Sequence, residues 1–118
     1  DESINRPIRD FLAGAEIQGV SAPQTVQYYA DAAKLAPADI ETLTENAVAQ
    51  HPDVDAVYFQ GGVLDPIDSL AKLEGKLNLS VIASNPAMLW FILSRLGLKY
   101  QIRGFGSLLA SWPPLPND

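Results

Sequence analysis

Two short apolar runs, residues 54–59 and 79–83, each end in a polar loop that leads into a proline-opened helix. That alternation constrains the fold more than any other feature. The first run holds Val54, Val57, Tyr58 and Phe59, residue types that favour strands. It is followed by Gln60-Gly61-Gly62-Val63-Leu64, then by Asp65 as a helix cap with Pro66 at the first helical position. Ile67, Leu70, Ala71 and Leu77 are the expected buried face of that helix. After the second run, Asn85 is the expected cap and Pro86 the first residue of a helix over 86–96. Strands and helices alternating at this spacing predict parallel βαβ units. A third strand is expected at 17–20. Upstream of it, Ile4, Ile8, Phe11 and Leu12 share a helical face, with Pro7 assigned to the first turn and Gly14 to the end. Residues 21–25 read as a loop and 26–35 as an irregular helix. Pro37 opens a helix whose face is Ile40, Leu43, Ala47 and Val48, closed by His51-Pro52. A helix at the very start of the chain gives the expectation that a strand preceding Asp1 has been lost or was never included.

With 118 residues, 47% of them hydrophobic, the chain suffices for one domain with a core. That domain is expected over 1–111, with an irregular proline-rich tail at 112–118. The formal net charge of −6 argues against nucleic acid, which needs a basic face, and against anionic membranes. The absence of cysteine excludes disulfides, thiolate metal sites and a thiol nucleophile from these residues. No apolar run approaches the ~20 residues that span a bilayer. Asp1-Glu2-Ser3 does not resemble a signal peptide, so a cytoplasmic protein is the default expectation.

Ligands of open parallel sheets bind at the carboxyl ends of the strands. In this chain those ends carry Ser21, then Gln60, Gly61 and Gly62, then Ser84 and Asn85. The glycine pair lets backbone N–H groups approach a ligand oxygen, and it equally suits a plain tight turn. Ser84-Asn85-Pro86 reads as a helix cap as readily as a ligand loop, and Gln60 either enters the crevice or faces solvent. His51 belongs to the opposite edge of the sheet, which rules out a triad with Ser84. Asp65 and Asp68 are helix-start residues, and Asp53 and Asp55 flank a strand start on the wrong edge. No metal-ligand spacing is present. The helix at 86–96, with Trp90 and Phe91, is apolar nearly all round, as befits a buried helix or a subunit contact.

The stretch Val54-Asp55-Ala56-Val57-Tyr58-Phe59-Gln60-Gly61-Gly62 resembles the late strand and loop of maleate isomerases and arylmalonate decarboxylases, in the aspartate/glutamate racemase superfamily. Ala83-Ser84-Asn85-Pro86-Ala87-Met88-Leu89-Trp90 follows at the matching distance and is similar to that family's Ser-Ser-Asn-Gln-Ala-x-x-Trp segment. Arg95-Leu96-Gly97 and Gly104-Phe105-Gly106-Ser107-Leu108-Leu109 resemble its closing motifs. Asn5 to Phe11 and Ala36-Pro37-Ala38-Asp39-Ile40 fit it more loosely. The resemblance implies a three-layer flavodoxin-like, mostly parallel sheet with helices on both faces, equivalent to the second half of a two-domain enzyme. It also implies cofactor-independent racemase, isomerase or decarboxylase chemistry on small dicarboxylates or substituted malonates. In the family a cysteine ends the late strand and serves as acid/base or nucleophile. The matching position here is Gly61, with Gln60 where serine is usual.

Two functions follow as expectations. One is part of such an enzyme, its loop N–H groups at Gln60, Gly61, Gly62, Ser84, Asn85 and Ser21 binding a small carboxylate, without a catalytic residue of its own and inactive alone. The other is a non-catalytic carboxylate-binding or structural module of the same fold. An unrelated flavodoxin-like interaction domain is a third possibility. The expected partners are the missing N-terminal half or a second copy through the helix at 86–96.

Overall fold

The computed structural model describes residues 2–20 and 29–117. Helix α1 spans Glu2–Ala13. A 3-10 turn at Tyr29–Lys34 leads to α2, Pro37–Gln50. Strand β1 is Ala56–Phe59, and a short 3-10 turn, Ile67–Ser69, leads into α3, Leu70–Leu77. Strand β2 is Ser80–Ala83, followed by α4, Ser84–Arg95, and α5, Ser107–Ser111.

The two strands pair in parallel, with Val57 opposite Val81 and Phe59 opposite Ala83. The βα order and the parallel pairing between 54–59 and 79–83 are those expected from sequence. Because side chains alternate across a strand, Val57, Phe59, Val81 and Ala83 share one face. They meet Leu70 and Leu73 of α3 in the central core, joined by Ile67 and Leu77. Leu73 is buried beside Leu70 on α3, whereas Ala71, assigned to that face from sequence, is exposed. The 3-10 turn before α3 rotates the helix relative to one that begins directly at Pro66.

Three local expectations are corrected. Residues 17–20 form no strand: Ile17 and Val20 are 52% and 46% exposed. Their composition favours extended backbone, but a strand exists only with a ladder partner, and the sheet among the described residues has two strands. Pro7 lies inside α1, beyond its first turn, at the cost of one helical hydrogen bond. The α1 face is also open, with Phe11 80% exposed. Finally, α4 begins at Ser84, with Ala83 in extended conformation before it, so Asn85 is a helical residue and Pro86 lies within the first turn.

Polar links join the helices to the sheet. Glu74 of α3 accepts the Val81 N–H at 3.0 Å, the Ser107 N–H at 2.7 Å and the Ser107 hydroxyl at 2.8 Å, tying α3, β2 and α5 together. Gly106 supports that junction with a φ of 95°, open to glycine and strained for other residues. On α2, Glu41 pairs with Lys72 and accepts from the Ser69 hydroxyl, and Glu45 pairs with Lys76. The hydrogen bond from Lys72, with help from Ser69 and the nearby charges, holds the Glu41 carboxyl below its ordinary range against the opposing effect of its partial burial. The proline-rich tail has no regular structure but packs back: Trp112 is 3% exposed, its indole N–H bonds Ser94 Oγ, and the Trp90 indole bonds the Pro113 carbonyl.

Candidate functional site

The carboxyl ends of β1 and β2 lie side by side, because Phe59 pairs with Ala83 in a parallel ladder. The residues that follow them, Gln60-Gly61-Gly62 and Ser84-Asn85, therefore meet at one edge. Ser84 connects the two segments. Its Oγ accepts the Gly61 N–H at 3.0 Å, lies 2.9 Å from the Tyr58 hydroxyl, and donates to the Phe59 carbonyl at 3.2 Å. A serine hydroxyl has one proton and two acceptor positions. With its proton on Phe59 O, Ser84 must accept from both Gly61 and Tyr58. Tyr58 is thus the donor in that pair, and its own oxygen lone pairs face outward.

This wiring separates the expected site residues. Gly61 and Ser84 satisfy each other, so neither presents a spare donor to a ligand. Gly61 has a φ of 87°, the left-handed backbone that a glycine adopts without strain. Gly62 is exposed, and its N–H has no partner among the described residues. Asn85 is exposed in the first turn of α4, whose amino-terminal N–H groups carry the positive end of the helix dipole. Gln60 lines a mainly apolar groove of about 400 Å³ with Tyr58 and with Pro7, Ile8, Phe11 and Leu12 of α1. Ser21 lies outside the described residues.

Asp65 accepts the Ile67 N–H two residues on at 3.3 Å, but it is not the helix cap expected of it: the 3-10 turn begins at Ile67 with Pro66 before it, and α3 begins at Leu70 after Ser69. His51 closes α2 ahead of β1 and takes no part in this edge. Among the described residues, no three His, Cys, Asp or Glu side chains gather to hold a metal ion, and no helix is long and apolar enough to cross a membrane. Tyr58 is the site residue that sequence reasoning passed over as a mere strand former. The period of two offered a signal: Tyr58 lies on the face of β1 opposite the one that enters the core.

The sequence model of the family described as arylmalonate decarboxylase matches residues 1–109. Three solved structures of arylmalonate decarboxylase superpose on the chain. One crystal structure does so with a TM-score of 0.84 at 22% identity, over 94% of this chain and 50% of that one. An unliganded form gives 0.80 at 23% identity, over 94% and 49%. A glycine-to-cysteine variant in its sulfate-associated form gives 0.78 at 24%, over 92% and 48%. The chain therefore spans about half the length of the solved relatives it matches, and at these identities they establish the flavodoxin-like α/β fold. No curated protein matches the chain. On the family match across nearly its whole length, the chain belongs to the arylmalonate decarboxylase family.

Proposed function

We propose that the chain is the carboxylate-binding half of a cofactor-independent, cytoplasmic enzyme that decarboxylates, racemises or isomerises small dicarboxylates or substituted malonates. Its part is to hold a carboxylate by loop N–H groups rather than to move a proton. The observation that carries this reading is the Gly62 N–H, unpartnered among the described residues, beside a Gly61 loop pinned by Ser84 at the strand ends. Proton transfer at carbon needs a donor of suitable pKa within about 3 Å of the reacting atom. Residues 60–64 contain no titratable side chain. Gly61 stands where the resemblance puts the family's cysteine, so any thiol must come from elsewhere in a two-sided site.

A second reading, a carboxylate-binding module without catalysis, is favoured by that same Gly61. One experiment separates the two. Arylmalonate decarboxylation and maleate isomerisation are assayed with a protein spanning both halves, unmodified and as Gly61→Cys, beside the 118-residue chain. At a φ of 87° the new side chain costs about 1 kcal/mol of stability, which leaves activity measurable. Turnover by the two-half protein supports the enzyme reading. Its absence, with gain on Gly61→Cys, supports the binding module. Robust turnover by the unmodified 118-residue chain refutes both, because the acid would then lie in this chain but outside the 60–64 loop.

A further inference from the structure

The proton order at the strand ends decides what the Tyr58 hydroxyl offers a ligand. Its proton goes to Ser84 Oγ, 2.9 Å away, because Ser84 donates its own to the Phe59 carbonyl at 3.2 Å. The donors therefore run from Tyr58 to Ser84 to the main chain. What Tyr58 turns outward is oxygen lone pairs, so toward a ligand it is an acceptor. Reversing the order would free the Tyr58 proton, but the Phe59 carbonyl, only partly exposed, would lose its bond from Ser84.

Gly62 offers the opposite. Its N–H is a donor without a partner among the described residues. Gly61, the residue before it, is held by the same serine oxygen at 3.0 Å. One hydroxyl thus sets an outward acceptor and an outward donor at the same edge. Gln60 lines the groove with Tyr58, but its amide serves as donor or acceptor and does not discriminate. The remaining lining residues, Pro7, Ile8, Phe11 and Leu12, are apolar, and no charged side chain lines the groove. A second ionised carboxylate placed at Tyr58 would bring only acceptors to an acceptor, with no cation from these lining residues to offset its charge. A neutral group with a hydrogen to give matches that oxygen.

We propose that Tyr58 selects the ligand of this edge: a small carboxylate, held on the Gly62 N–H, whose second polar group is a neutral donor such as an amide or hydroxyl rather than a second ionised carboxylate. The proposal rests on the carboxylate-binding reading above and narrows it. A dicarboxylate then enters with one carboxyl protonated, or with its second carboxylate held by residues outside this chain.

Three small probes separate the donor from the charge. Malonate has two carboxylates at neutral pH. Its monoamide has one carboxylate and an N–H donor, and its monomethyl ester has one carboxylate and no donor. The Gly62 amide resonance of the isotopically labelled 118-residue chain is followed as each is added. The monoamide should bind about 3- to 10-fold more tightly than the ester, the range of one net hydrogen bond. Tyr58→Phe keeps the ring and removes the oxygen, so that advantage should fall below about twofold while the circular dichroism spectrum stays that of wild type. Ser84→Ala releases the Tyr58 proton, and the same ratio should fall there too, whatever happens to the affinities themselves. Equal binding of monoamide and ester to wild type, an advantage that survives Tyr58→Phe, or malonate bound more tightly than the monoamide would each overturn the proposal and leave carboxylate binding intact. The last of these would mean that Tyr58 donates outward. A Gly62 amide that none of the probes shifts would overturn the carboxylate-binding reading and the proposal with it.

Discussion

Removing the Ser84 hydroxyl tests whether the strand-end loop is held as described. Ser84→Ala deletes three hydrogen bonds at once: to Gly61 N, Tyr58 OH and Phe59 O. Tyr58 is 51% exposed and recovers a water, so its loss costs little. The Gly61 N–H and the Phe59 carbonyl are only partly exposed, and each lost bond costs about 1 kcal/mol. The expected destabilisation is therefore about 1–2 kcal/mol, a fall in Tm of about 4–8 °C for a chain of this size. The local signature is sharper. If Ser84 holds the loop, exchange of the Gly61 amide with deuterated solvent quickens by about 5- to 30-fold, while amides of α2 change only with global stability. Ser84→Thr keeps the oxygen and restores most of the protection. A Gly61 amide whose exchange in Ser84→Ala stays within about twofold of wild type would refute the reasoning, since its donor would then not depend on Ser84.

Two further outcomes follow. Glu74→Gln keeps one acceptor oxygen but turns an amide N–H toward Val81 or Ser107, so thermal denaturation should show a loss of about 1–3 kcal/mol, and a melt indistinguishable from wild type would mean that α5 is held by packing alone. The Glu41 carboxyl lies below its ordinary range chiefly through Lys72, so this pair contributes stability in full above the unfolded value near ~4.3 and loses it as pH falls through the lowered native value; Tm measured from neutral to acid pH should fall more steeply in wild type than in Lys72→Met, and equal slopes would sink the assignment.

Sequence by itself determined the βα order, the parallel pairing of the strands now seen at Ala56–Phe59 and Ser80–Ala83, and the family. Those follow from short-range chemistry. Val57, Phe59 and Val81 favour strands, Pro66 and Pro86 lie close to the helices that follow without being their first residues, and a βαβ crossover leaves little freedom in strand direction. Tertiary structure decided what depends on a neighbour far along the chain. Ile17 to Val20 have strand composition and no ladder partner among the described residues, so they form no strand. Leu73 rather than Ala71 enters the core because the 3-10 turn at Ile67–Ser69 resets the phase of α3. Ser84 reads locally as part of a helix cap, yet its hydroxyl bonds Gly61 and Tyr58, because the register that sets Phe59 opposite Ala83 delivers it there. Hydrogen-bond partners so distant in sequence are chosen by register and packing, which no local propensity encodes.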